Sequence, residues 1–239
     1  MILTPLEFGI GFLSTVLVCV SVVIGVRITL KYRENKDKTF LFFGLTWIFL
    51  VEPWYPSMIS FLMALVINST LSLEIYLFLG LFFIPVGLFT GITAFSELLF
   101  KERQKQLQGI MILMGILFDG LFLYFLLTDP FILGMPYSAV DIEYSLLTQV
   151  FLLVNGPICV VCGGLFARET LRSDSADVRL KGKLLVVAFM SFAVGGLMEV
   201  ITLMELLTAV ARVFTIIGAF FFYSGFMLPK WMKELFLKH

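Results

Sequence analysis

The sequence is almost without histidine: the only one, His239, is the last of 239 residues. Zinc-dependent membrane hydrolases hold their metal through several His or Cys ligands, so that class is excluded. Cysteine is scarce too, with three in all. Cys159 and Cys162 share a helix face at i and i+3, and without further ligands they read as small packing residues. None of the three lies between apolar runs on the acidic side, so no disulfide is expected there. Nucleophilic catalysis wants a Ser or Cys beside a base, and no histidine is available. There is no glycine-rich phosphate loop. These absences predict a protein that is not an enzyme and has no metal, no cofactor and no nucleic-acid partner.

Charge is the next shortage. Only 14% of residues are charged, 60% are hydrophobic, and the mean hydropathy is +1.03. A soluble domain carries about a quarter charged residues. Long apolar runs separated by short charged clusters indicate a multi-spanning membrane protein. The runs are about twice the length of a barrel strand and do not alternate, so helices are expected.

Seven runs are present, at roughly 8–30, 39–66, 73–99, 107–128, 145–167, 184–206 and 209–229, each near the ~20 residues that cross a bilayer. They form one transmembrane domain, an all-α seven-helix bundle. The first run is too long for a signal-peptide core and lacks a basic flank, so it is expected to stay. With alternating sides assigned to the connections, every Lys and Arg except Arg212 falls on one side. The positive-inside rule then predicts an outside N-terminus and a cytoplasmic C-terminus, in the cell membrane of a prokaryote. The other side carries Glu7, Glu74, Asp129, Asp141, Glu143 and Glu205. Its longest connection, DPFILGMPYSAVDIEYS, is half apolar and is expected to lie along the interface. Asn68-Ser69-Thr70 is a glycosylation sequon on that side.

The stretch VEPWYP, residues 51–56, places a carboxylate and two prolines inside the second run. An outer loop there would leave 13 residues to cross the bilayer, ~20 Å where ~30 Å is needed. It is therefore a break within the span. Pro85 in the third run and Asn155-Gly156-Pro157 in the fifth read as further breaks. Counting from the basic end at ~1.5 Å per residue puts Glu52, Asp119, Asn155 and Glu199 in one layer near the midplane. Charge at that depth is costly, by ~2.5–3.5 kcal/mol even on lenient scales. Two readings follow. Each group is satisfied by its own neighbours, or the four share a polar cavity with Trp54 and Tyr55. At the outer end, Glu205 is the expected salt-bridge partner of Arg212; the sharper reading has Arg212 binding an anion or capping the cavity. Gly87 and Gly91, and Gly195 with Gly196, form small-residue packing faces.

The seventh run ends in FFFYSGFMLPKWMKELF, where an apolar helix stops at Pro229 and a basic amphipathic segment follows. In this pattern and in its topology the chain resembles the seven-transmembrane sensor regions of prokaryotic histidine kinases and related signalling proteins. It does not resemble the retinal rhodopsins, because residues 209–229 contain no Schiff-base lysine. The G-protein-coupled receptors share an acidic-arginine pair like Glu102-Arg103, but the Asn-Pro-x-x-Tyr pattern is missing here. The resemblance implies a sensor or signal-coupling module that relays to an output domain. No such domain follows within these residues, so a separate cytoplasmic signalling protein is the expected partner beside the lipid bilayer. The charged loop RETLRSDSADVRLKGK would contact it through Arg172, Asp174, Asp177 and Arg179. A small proton-coupled transporter using Glu52 and Asp119, and a structural subunit of a membrane complex, are the competing readings.

Overall fold

The computed structural model describes residues 3–201 and 204–237, without the side chains of Pro157 and Cys159. His239 lies outside the described residues, as does the side chain of Cys159. Among the described residues, seven helical segments are long and apolar enough to cross a membrane. This makes the chain a multi-pass helix bundle and an integral membrane protein.

The first span is α1 (Pro5–Asn35), opened by a capping box in which Thr4 and Glu7 satisfy each other's backbone N–H groups. The second span is broken, as its prolines require: α2 (Lys38–Leu50), one 3-10 turn at Glu52–Trp54, then α3 (Tyr55–Ile67). The third breaks at Phe82 and Phe83, between α4 (Leu73–Leu81) and α5 (Ile84–Leu99), with Pro85 in the first turn of α5. The fourth span is α6 (Gln104–Thr128), the fifth α7 (Leu146–Leu171), the sixth α8 (Ala176–Ile201) and the seventh α9 (Glu205–Met227). The amphipathic α10 (Lys230–Leu237) follows.

Two expectations about the spans are corrected here. The fifth span does not break at Asn155-Gly156-Pro157: α7 is continuous. The Asn155 side-chain amide donates to the Phe151 carbonyl at 2.8 Å, and a helix in lipid keeps its remaining ladder because no water competes for it. The sixth span begins at Ala176 rather than 184, because Arg179, Lys181 and Lys183 sit on helical turns beyond the apolar stretch. The connection between the fourth and fifth spans has secondary structure of its own. It forms an antiparallel hairpin, β1 (Gly134–Pro136) with β2 (Ile142–Tyr144), paired Gly134 to Tyr144 and Pro136 to Ile142. A Cβ on Gly134 would stand 2.8 Å from the Glu143 carbonyl oxygen, so the strands approach this closely only with glycine there. The hairpin tip turns into the bundle. Val140 is fully buried against Ile10 and Phe61, and the Ala139 N–H donates to Glu7 at 2.9 Å.

The core lies toward the basic end, where Phe43, Trp47, Phe95, Leu185 and Phe222 pack together and Trp47 stacks on Phe222 at 3.8 Å. Close helix crossings are made by glycine. At Gly44 an added Cβ would collide with Thr29 and the Gly25 carbonyl; at Gly87 it would meet Phe49 at 2.9 Å, and at Gly195 Thr215 at 2.6 Å. Gly196, read with Gly195 as a packing residue, has nothing near it instead.

Candidate functional site

Arg212 is the centre of the most connected polar cluster. It sits two turns into α9 and is 1% exposed. Its Nε donates to Glu199 Oε1 at 3.1 Å and its Nη2 to Asp141 Oδ2 at 2.7 Å. Its Nη1 donates to the Ile10 carbonyl at 3.2 Å, to Ser57 Oγ at 2.8 Å and to Ser14 Oγ. The planar guanidinium can serve this many acceptors because its donors form a fixed fork. Trp54 Nε1 donates to the same Glu199 oxygen at 3.2 Å. Tyr76 donates to the Val140 carbonyl at 3.2 Å and lies 3.4 Å from Asp141. The cluster therefore ties the first, second, third, sixth and seventh spans to the hairpin.

The salt bridge expected between Arg212 and Glu205 is replaced. Arg212 pairs with Asp141 and Glu199. Glu205 is not on the sixth helix but is the first residue of α9, seven positions before Arg212 and ~10 Å along the same axis. There its carboxylate faces the positive end of the α9 dipole. Nothing in the sequence ranked Asp141 above the other acids of its side. Only the fold of the hairpin brings it to Arg212.

Beside this cluster lies a cavity of about 380 Å³, within the range of small-molecule sites. It exists because α7 and α8 diverge. Toward the basic end they touch: a Cβ on Gly163 would strike the Phe189 ring at 2.5 Å, and one on Gly182 would meet Leu171 N at 3.0 Å. Toward the hairpin end they part, and a Cβ on Gly156 or Gly196 would meet nothing within 4 Å. The hairpin closes the top of the wedge with Asp141 and Tyr144, and Trp54, Glu199 and Arg212 form its polar corner. Burial, with the Asp141 charge beside it, pushes the Tyr144 hydroxyl well above its usual range, so it stays a neutral phenol. The remaining walls are apolar, and at the edge Val161 and Leu197 remain exposed on the outside of the bundle. The cavity thus opens sideways, where lipid would be.

Of the six residues expected around one cavity, Trp54 and Glu199 line this one. Tyr55 turns away and donates to the Ile48 carbonyl at 2.7 Å, serving the last turn of α2, where carbonyls lack helical partners. Glu52, fully buried, accepts the Phe83 N–H at 2.7 Å. It joins the break in the second span to the break in the third. Its other oxygen has no partner among the described residues, nor do Asp119 Oδ1 and Asn155 Oδ1. Asn155 borders a much smaller gap with Pro85, Met111 and Phe151. The midplane layer therefore divides in two: Trp54 and Glu199 on the cavity, and Glu52, Asp119 and Asn155 away from it.

At the basic end, Arg172, Asp177 and Arg179 make side-chain contacts and Asp174 accepts through its backbone carbonyl. Arg172 pairs with Glu169 at 3.2 Å. Arg179 donates to the Ser173 and Asp174 carbonyls at 3.0 and 2.8 Å, which folds the loop onto the start of α8. Asp177 pairs with Lys233 of α10, while Met232 packs under Leu180 and Leu184. Among the described residues no three His, Cys, Asp or Glu side chains gather in a way that could hold a metal ion. Compared with protein-family models, with curated proteins and with solved structures, the chain has no match in any of the three.

Proposed function

We propose that the protein is a membrane sensor or signal-coupling module, with its N-terminus outside and its C-terminus in the cytoplasm of a prokaryotic cell. In this reading the cavity between α7 and α8 receives a ligand from the bilayer and α8 relays its presence to a separate cytoplasmic partner. One observation carries it. A single helix, α8, bears Glu199 at the cavity and Asp177 in ion pair with Lys233 of the amphipathic α10. Its 26 residues span ~39 Å as an unbroken rod, so movement at one end reaches the other. The asymmetry of its packing supports this. Near the basic end α8 is wedged against α7, and near the cavity it has room to move. The charged loop at 169–179 and α10 together form the surface for a partner.

Filling the cavity tests the relay without a known ligand. Spin labels at Ala176→Cys and Leu235→Cys, both exposed positions, report the distance between α8 and α10 in nanodiscs. Gly196→Phe, which places a ring in the cavity, is expected to shift or broaden that distance. An unchanged distance, together with no soluble protein crosslinked to residues 170–183, would sink the reading.

A proton-coupled carrier is the second reading. It is favoured by Glu52 and Asp119, two carboxyl groups within the spans that each leave an oxygen unpartnered among the described residues. Proton flux in liposomes that disappears in Glu52→Gln supports the carrier. Flux absent from both proteins removes it.

A further inference from the structure

Accepting the cavity as a ligand site, as the proposed function does, its walls also specify the ligand's charge. Three charged residues line it: Asp141, Glu199 and Arg212. They comprise two carboxylates and one cation, and a buried charge without a counter-charge is strongly disfavoured. The guanidinium is committed on every side, to Glu199, Asp141, Ile10, Ser14 and Ser57. Its single positive charge already faces two carboxylates, which leaves no net positive charge to hold an anionic head group. Glu199 is different. Its Oε1 accepts from both Arg212 and Trp54, and its carboxylate lines the cavity. The side chain keeps 17% exposure where it borders the cavity.

The aromatic rings that line the cavity point the same way. Trp47, Trp54, Tyr144, Phe189 and Phe192 all line the space, and Phe192 stands 5.5 Å from Trp47 and 5.8 Å from Trp54. Aromatic faces attract cations, and such cages hold quaternary ammonium groups. Away from the polar corner the walls are Leu152, Val160 and Val161, and the opening faces sideways to the apolar surface.

We infer that the cavity takes a lipophilic organic cation, with an ammonium head against Glu199 and the aromatic rings and a hydrocarbon body along α7 and α8. The cation supplies the charge that the Asp141, Glu199 and Arg212 cluster lacks.

The test uses the whole chain in maltoside detergent, with Trp231→Phe so that Trp47 and Trp54 alone report. The probes are bromoalkyl chains of one length ending in trimethylammonium, in sulfate or in alcohol. The ammonium probe is expected to quench saturably, at least about tenfold more tightly than the alcohol. Glu199→Gln should remove that preference and Gly196→Phe should abolish binding of all three. Should Glu199→Gln fail to fold, the ammonium-to-alcohol ratio in the unsubstituted protein decides, and parity refutes the inference. Saturable quenching by the sulfate or the alcohol at equal strength, lost in Gly196→Phe, overturns the cation while leaving the cavity as a ligand site. If no probe saturates, the inference and the ligand-binding reading both fall.

Discussion

Two polar clusters cross the middle of this bundle, and they are satisfied to different degrees. Around Arg212, two carboxylates, two hydroxyls, one carbonyl and an indole N–H converge on one guanidinium and its partners. Around Glu52, one hydrogen bond to the Phe83 N–H is made, and buried oxygens of Glu52, Asp119 and Asn155 are left without partners among the described residues. The contrast teaches that the charge in a span is tolerated for different reasons. The Arg212 cluster joins five spans and the hairpin, so it specifies the assembly. The Glu52 group sits where two helices are interrupted, and its loose ends mark it as the more changeable part.

The largest effect is expected at the saturated cluster. Arg212→Met leaves Asp141 and Glu199 as uncompensated carboxylates and should lower stability by about 3–5 kcal/mol, read from thermal unfolding in detergent. Arg212→Lys should recover little, because an ammonium cannot reach acceptors on both sides as the fork does. A loss below about 1 kcal/mol would reduce the cluster to the rank of a surface pair and erase the contrast. Next comes Glu52→Ala, which strands the Phe83 N–H and opens a void, at about 2–4 kcal/mol. Glu52→Gln retains an acceptor and should stay within about 1 kcal/mol of the parent. Equal losses in the two variants would show that the bond to Phe83 contributes little. The smallest effect is expected for Asp119→Leu, which replaces a poorly satisfied carboxyl with a side chain of similar volume and should change stability by less than about 1 kcal/mol. A large loss there would reveal a partner for Asp119 and merge the two clusters into one.

Much of the architecture was legible in the sequence. The seven runs and the breaks at Pro53 and Pro85 follow from local rules, since transfer to lipid and the missing proline N–H act on each segment by itself. Asn155-Gly156-Pro157 misled because a helix in lipid holds together around one lost bond. Trp54 and Glu199 were legible as cavity residues, being polar groups at membrane depth. Tyr55 and Glu52 were legible as unusual, but not in their partners: each turned to a backbone group freed by a helix break, Ile48 and Phe83. Asp141 was hidden. Its connection read as a half-apolar stretch along the interface, and only the pairing of β1 with β2 and the burial of Val140 carry it inside.

By itself, the sequence determined a membrane bundle of seven spans with its basic residues gathered to one end, because hydropathy and charge are properties of the segments themselves. Tertiary structure alone decided that Arg212 would meet Asp141, 71 residues away, and Ser57, 155 away. It also decided that α7 and α8 would part beside them. A buried charge takes whichever partner the packing of other helices brings within hydrogen-bonding distance, and no local pattern encodes that choice.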